Sequence, residues 1–432
     1  MISQHKLVEL LSPTKKTNFL AIKKEAERLL DYSPRFKYFT LHGKAHIESM
    51  LKIADMLIEF GINLSEDEAY LFGLAICIHD LGMVIPLKET DYKKIFEGTT
   101  QLPDPAYIEN YIRNAHHELI DNYVETHFDF FSSLGISPNE IGLLKEISKN
   151  HRKMPLHTQT GLIKELGGLL RVIDELDIGS DRAPSSVLRN TYREMDGTSC
   201  WHWFKHNIVD TWRKGHNVHK IQNGQGSSLT FQLIVRSPLE RNIPYWLHQI
   251  KKPINKVLSG ENVAQIILEH WKIKIKIEEM SDLSKPNYLG SEWEKIEQKA
   301  LSHSRGVILL IDDEVRKMED LFTNLMKDFH IIYSPNAKDA LEKINEINVD
   351  LAIVDMQIGS GKLWTSQETS DYKLTGKKLC EEIITKSPKT KIGILTGTRY
   401  DLDPCRDLPL IFLLKKPIDP EDFERRIFNV FR

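Results

Sequence analysis

Two groups of side chains in this sequence have types and spacings that chemistry uses. The first centres on His79 and Asp80, adjacent at the end of the apolar stretch AICIHDLGM, with His46 on an earlier helical stretch and Asp174 downstream in LLRVIDELDI. A neutral imidazole is a good transition-metal ligand, and carboxylates complete a hard or borderline site. Adjacent His and Asp on a helix can bind one ion only if it sits between several helices, so further ligands must come from elsewhere in the chain. His42 and His46, four residues apart, share one helix face. The second group is Asp312 and Asp313, Asp355, Thr396 and Lys416, which close the short apolar runs VILLIDDE, DLAIVDMQI, KIGILTGT and LIFLLKKP. Carboxylates converging on one point repel one another unless a divalent cation lies between them. Oxygen ligands with few protein contacts favour Mg²⁺. A hydroxyl and an ammonium nearby would hold phosphoryl oxygens.

The elements that must position these groups fall into a multidomain chain. Residues 1–187 are expected to be mostly helical, since AHIESMLKIADMLIEF, DEAYLFGLAICIHDLG and the stretch 161–176 repeat apolar residues at three- and four-residue spacing. Residues 188–280 form a small, Trp-rich α+β extension with a formal charge of +6. Within it KIQNGQGSSLTFQLIV has the pattern of a hairpin with a Gly-rich turn, and KIKIKIEE alternates as a half-buried strand does. The basic balance attracts a phosphorylated ligand or is a solvated face. Residues 281–305 are expected to be a linker with one short helix. From Gly306 to Arg432, near-continuous apolar strands separated by helix-like stretches predict an α/β domain with a parallel sheet covered on both faces. In such sheets the functional crevice lies at the carboxyl ends of the strands, where the polar residues stand.

Composition excludes several classes. Lys plus Arg number 58 against 61 Asp plus Glu, and 41% of residues are apolar, an ordinary soluble balance. The cysteines, Cys77, Cys200, Cys380 and Cys405, form no C-x-x-C pair, which argues against a zinc ribbon and fits a reducing compartment. No apolar run approaches the roughly 20 residues that span a bilayer. The N-terminus lacks a signal-peptide core with a cleavage site. A cytoplasmic protein with no membrane partner is expected. Without a helix-turn-helix pattern, nucleic acid is not an expected partner either.

The order H…HD…D resembles the HD superfamily of metal-dependent phosphohydrolases, over roughly residues 30–180. The spacing H-G-K-A-H is similar to the H-N-x-x-H of the cyclic nucleotide phosphodiesterases on the same scaffold, with Gly43 where those enzymes have Asn. The resemblance implies that His46, His79, Asp80 and Asp174 bind metal, that His42 is the general acid for the leaving oxygen, and that Asp80 is central to catalysis. HD enzymes with two metals place further histidines between the HD pair and the last Asp. His116 and His151 fall there, as ligands or as structural histidines, and Asp80 would then bridge the two ions. The cofactor implied is one or two divalent ions among Fe, Mn, Zn, Ni and Co. The Gly-Tyr-Pro signature of the HD-GYP phosphodiesterases is absent. His117 is expected on the helix surface, and Asp177 either behind the ligands or exposed. Arg171 and Arg182 either reach a phosphate or are solvated, and Trp201 and Trp203 either stack a base or fill a core.

Residues 306–432 resemble the receiver domain of two-component response regulators, a flavodoxin-like fold with a five-stranded parallel sheet. That resemblance implies Asp355 as phosphoacceptor, and Mg²⁺ held by Asp312, Asp313, Asp355 and the Gln357 carbonyl. It also implies Thr396 and Lys416 on the phosphoryl group and a cis Lys416–Pro417 bond. Two features depart from the family pattern. A long polar insertion precedes Gly376, and Leu413 stands where an aromatic is usual. The implied function is a phosphorylation-regulated HD phosphohydrolase acting on a nucleotide or cyclic nucleotide, with a sensor histidine kinase or other phosphodonor as partner and a homodimer left open. The alternative is a non-catalytic signalling adaptor with a degenerate HD module.

Overall fold

The computed structural model describes residues 5–31, 38, 40–88, 91, 105–152, 156–210, 218–223, 226–279, 291–302, 304–314, 325, 328–370, 373–397, 405 and 407–431. The chain forms two compact units, Met1–Arg236 with Ile250–Glu292, and Ser237–Gln249 with Trp293–Arg432. Within the stretch 188–280, expected as one extension, Ser237–Gln249 therefore goes with the C-terminal unit. Trp212 and residues 281–290 of the expected linker lie outside the described residues.

The first unit is built around the helix Glu66–Ile78. All ten residues from Ala69 to Ile78 are buried, so this helix is apolar on every side, as a central core helix must be. Ser65 and Glu68 close its N-terminus in a reciprocal capping box. The helices Pro13–Asp31, Lys44–Glu59, Pro138–Lys149 and Gly161–Leu176 pack against it. The helix Pro105–Thr126 packs instead on the short turn Leu81–Met83 that follows, with Met83, Ile112 and Leu119 forming a cluster between them. A Cβ at Gly82 would overlap the His116 carbonyl, so this close approach requires glycine.

The basic stretch contributes a small sheet to this unit. β1 (Val209–Asp210) and β2 (Val218–Asn223) run antiparallel to β3 (Gly226–Val235), and β4 (Ile273–Glu279) runs parallel to it. The expected β2–β3 hairpin is present, registered from Asn223 opposite Gly226, with residues 224–225 outside the described set. Ile273 and Ile275 of β4 are buried while Lys274 and Lys276 are exposed, as the alternation predicts.

The second unit holds a five-stranded, all-parallel sheet of β5 (Val307–Ile311), β6 (His330–Ser334), β7 (Leu351–Val354), β8 (Lys391–Thr396) and β9 (Leu410–Lys415). Its spatial order, β6-β5-β7-β8-β9, is the 2-1-3-4-5 order of flavodoxin-like folds. Side chains alternate between two cores. Leu309, Ile311, Ala352 and Val354 pack with Leu379, Cys380 and Ile383 of the helix Thr375–Lys386. Ile308, Leu310, Leu351 and Ile353 pack with Phe423 and Ile427 of the helix Pro420–Val430. In the helix Ser291–Leu301, Glu297 is fully buried. It accepts hydrogen bonds from Ser237 Oγ, Leu239 N, Asn242 Nδ2 and Trp246 Nε1 at 2.6–3.1 Å, which fastens the segment 237–249 to this unit. All four cysteines are buried and none is in a disulfide, and no described helix is long and apolar enough to cross a membrane.

At the start of the first unit, buried His5 lies 2.6 Å from Asp55 Oδ2 and 3.2 Å from Glu48 Oε2. Burial pulls its pKa down, but the two carboxylates outweigh that and raise it to about 9. A histidine whose folded pKa lies above its unfolded value of about 6.5 contributes stability that is complete below pH 6.5 and lost as pH rises through 9. The urea midpoint is expected to fall between those pH values. His5→Gln should flatten that fall, and an equally steep decline in the variant would assign it to another group.

Candidate metal centre and strand-end carboxylate site

Five helices deliver the first site. His79 caps the C-terminus of Glu66–Ile78, and Asp80 follows it. His46 lies on Lys44–Glu59 and His116 on Pro105–Thr126. His151 lies just beyond Pro138–Lys149, and Asp174 on the last turn of Gly161–Leu176, whose C-cap is Asp177. The C-terminal ends of three helices thus converge here, and their dipoles favour a cation.

The histidine tautomers follow from local bonds. His79 Nδ1 donates to Ile76 O at 3.0 Å, His116 Nδ1 to Arg113 O at 2.9 Å and His151 Nδ1 to Ser148 O at 2.6 Å. Each bond reaches back three residues. His46 Nδ1 donates to Asp177 Oδ2 at 2.6 Å. Carbonyls and carboxylates only accept, so all four rings carry the hydrogen on Nδ1 and turn an Nε2 lone pair inward. These lone pairs face one another. His46 Nε2 and His79 Nε2 are 3.2 Å apart, and His116 Nε2 and His151 Nε2 are 3.0 Å apart. Two facing acceptors repel unless a proton or a metal ion lies between them.

Asp80 stands at the centre. Its Oδ2 is 3.5 Å from His46 Nε2 and 3.3 Å from His79 Nε2, while its Oδ1 is 3.5 Å from His116 Nε2 and 3.8 Å from His151 Nε2. Asp174 Oδ1 joins the first half, 3.5 Å from His46 Nε2. The donors thus divide into two sets, His46–His79–Asp174 and His116–His151, and Asp80 offers one oxygen to each. A nitrogen-rich set completed by carboxylates fits borderline divalent ions.

Apart from that of His79, the protonation states agree with that fit. Burial opposes ionisation of Asp80, yet the His79 and His42 imidazoles hold its carboxyl well below the usual range. Burial lowers His46 and His151, and lowers His116 to about 4. His79 alone is raised, because Asp80 and Asp174 outweigh its burial. Ionised carboxylates and neutral imidazoles are the ligand forms of these groups. Behind them, Asp177 also accepts from Ser49 Oγ, which orients His46 from a second direction.

The structure assigns several remaining candidates. His42 Nδ1 lies 2.8 Å from Asp80 Oδ2, and Arg182 Nη2 reaches its ring nitrogens at 2.9 and 3.1 Å. Burial and Arg182 push its pKa down to about 3, so His42 is a neutral link between Asp80 and Arg182. His117, expected on the helix surface, is buried against the His116 and His151 rings, because the helix Pro105–Thr126 has neighbours on that side too. Arg171 does not face a phosphate. It is buried, donating to Asn150 O and Glu261. Trp203 fills core and donates its Nε1 hydrogen to Tyr38 O. Arg182 opens on a cavity of about 290 Å³ beside the cluster, whose lining includes Arg113, Arg152, Lys205 and Glu175. The sequence reading did not single out these four. Arg152 could have been noticed as the neighbour of His151, whereas nothing in the local pattern marked Lys205.

In the second unit, Asp312, Asp355, Thr396 and Lys416 meet at the carboxyl ends of β5, β7, β8 and β9. Thr396 Oγ1 donates to Asp355 Oδ1 at 2.6 Å. Lys416 Nζ donates to Asp312 Oδ2 at 2.5 Å and to Asp355 Oδ2 at 2.8 Å. Burial works against the Lys416 charge, but the two carboxylates hold its pKa above the ordinary lysine value. Asp313 is exposed, and among the described residues no three carboxylates of this group come within ligand distance of one another. Gln357 places its backbone N–H 3.2 Å from Asp355 Oδ1. Lys416–Pro417 is cis, as expected. The polar insertion ends at Gly376, where a Cβ would strike the Asp355 carbonyl, and Gly376 N donates to Met356 O at 3.0 Å. Leu413 is exposed on β9.

Metal content measures the two-set arrangement of the first site. Asp80→Ala should lose all bound divalent metal, whereas His151→Ala should keep the half held by His46, His79 and Asp174. Equal content in wild type and Asp80→Ala by plasma mass spectrometry would refute it.

The HD-CE family model matches residues 36–227, which contain every residue of the metal cluster. No curated protein matches the chain. Among solved structures, a response regulator receiver domain protein of Methanospirillum hungatei is similar at 19% identity, covering 29% of this chain and 93% of that one with a TM-score of 0.25. A receiver domain protein of Clostridium thermocellum matches at 24% identity over 29% of this chain and 94% of its own, TM-score 0.24. A response regulator of Thermotoga maritima matches at 18% identity over 29% and 97%, TM-score 0.24.

Proposed function

We propose that this protein is a signalling phosphohydrolase, an HD-type metal enzyme acting on a nucleotide phosphoester and governed by a phosphorylatable receiver domain. The observation that carries the reading is the pair of facing Nε2 atoms on either side of Asp80. That donor set is arranged for two cations sharing one carboxylate, and a module that only binds a partner has no need of it. His46, His79 and Asp174 would hold one ion and His116 and His151 the other, with Asp80 common to both. Two such ions supply an activated water and a clamp for phosphoryl oxygens.

The chain's own residues do the rest. The i−3 carbonyl bonds fix three of the imidazole planes, and Asp177 with Ser49 fixes the fourth. His42 holds Asp80 in place and points Arg182 toward the cavity, where a guanidinium meets phosphate oxygens well. The general-acid role implied for His42 by the resemblance has weaker support, since both of its nitrogens are engaged and its ring is neutral.

For the receiver, Asp355 is the proposed phosphoacceptor and Thr396 and Lys416 the groups that would grip the phosphoryl oxygens. Mg²⁺ would be held by Asp312, Asp355, the Gln357 carbonyl and Asp313. Lys416 Nζ bridges Asp312 Oδ2 and Asp355 Oδ2, which places its ammonium where it would meet a phosphoryl group on Asp355. A sensor histidine kinase or another phosphodonor would be the partner.

Two measurements test this reading. Protein loaded with Mn²⁺, assayed against linear and cyclic mono- and dinucleotides and nucleoside triphosphates, should release product from at least one class, and His79→Ala should not. No turnover anywhere in the panel with metal fully bound would favour the adaptor. Acetyl phosphate with Mg²⁺ should add one phosphoryl group to the wild type but none to Asp355→Asn, read by intact-protein mass spectrometry. An unmodified wild type would make the second unit a phosphate-independent module.

A further inference from the structure

The cavity beside the metal cluster is lined by cations from separate parts of the first unit. Arg113 comes from the helix Pro105–Thr126, Arg152 from the chain just past His151, Arg182 from the turn after Gly161–Leu176, and Lys205 from the helix Gly197–Asn207. Arg182 is already engaged beside the cluster through His42 and also lies 3.7 Å from Asp177. Lys205 differs. It is half-buried, its ammonium sits over the Trp201 ring at 4.9 Å from the centroid, and it makes no ion pair within 4 Å among the described residues. Burial lowers its pKa to about 8, with Glu175 opposing that and Arg182 and Arg152 adding to it.

Placing an unpaired ammonium near two guanidiniums is costly unless an anion completes the group. Of the carboxylates on the same lining, Asp174 faces the metal cluster and Asp177 holds His46 and Ser49, which leaves Glu175 as one carboxylate among four cations. Arg182 is joined to the cluster through His42, whereas Lys205 has no bond to it.

We propose that Lys205 and Arg152 form a second anion subsite, which holds a phosphate of the substrate other than the one under attack. Resting on the phosphohydrolase reading, this narrows the substrate class to compounds with at least two linked phosphates, such as nucleoside di- and triphosphates, over cyclic mononucleotides with one. The Trp201 ring beneath the Lys205 ammonium holds it in one place on the cavity lining.

Calorimetric titration of the full-length protein with inorganic tripolyphosphate and with orthophosphate tests the subsite. Wild type should bind tripolyphosphate the more tightly. Lys205→Met, which keeps most of the stem and removes the charge, should weaken tripolyphosphate by about tenfold to a hundredfold, the loss expected for charge-assisted bonds. Its orthophosphate affinity and metal content should stay at wild-type values, and Lys205→Arg should recover most of the loss. Repeating the titration after chelation separates the two readings. Lys205-dependent tripolyphosphate binding without metal or turnover supports the subsite even if the proposed hydrolysis fails. Equal tripolyphosphate affinity in wild type and Lys205→Met, or an orthophosphate affinity as high as that for tripolyphosphate, overturns it.

Discussion

The first unit is organised by the burial of one carboxylate. Asp80 has both oxygens turned toward imidazole nitrogens and sits at the end of a helix with no polar face. Removing a charge from water is expensive unless opposite charge or hydrogen bonds replace the lost solvation. Everything around Asp80 provides that replacement. The His42 bond, the raised His79 and three converging helix C-termini all favour either a proton or a metal ion beside it. The arrangement is rigid because each histidine is held by its own backbone three residues earlier, and Gly82 lets the helix that carries His116 approach without a Cβ between.

The second unit meets a similar difficulty with different means. Asp312 and Asp355 lie close together at the ends of parallel strands, and the Lys416 ammonium bridges them. An internal lysine is a movable counter-charge. It neutralises the pair by donating to one oxygen of each carboxylate. In both units, then, carboxylates kept from water are matched by cationic or potentially cationic neighbours.

Much of this was legible in the sequence. The apolar run ending in His79–Asp80 announced a buried helix closing on a polar pair. The four short runs ending in Asp312, Asp355, Thr396 and Lys416 announced parallel strands with chemistry at their carboxyl ends. Both inferences rest on local pattern, since strand and helix periodicity and the residue that ends an apolar run are properties of adjacent residues. The β2–β3 hairpin and the alternating β4 were readable for the same reason.

Other features depend on which helices touch. Whether His117 is exposed, whether Arg171 faces a phosphate or Glu261, and whether Lys205 shares a cavity with Arg152 cannot be read from neighbours in the chain. The packing partners of the segment 237–249 were hidden likewise, because the Glu297 carboxylate that gathers Ser237, Asn242 and Trp246 lies more than fifty residues further on. The sequence by itself determined residue types and periodicities, and with them the candidate ligands and the strand ends. Tertiary structure decided which imidazole lone pairs face each other and which charges remain unpaired. Those depend on ångström-scale distances between helices, and only packing sets them.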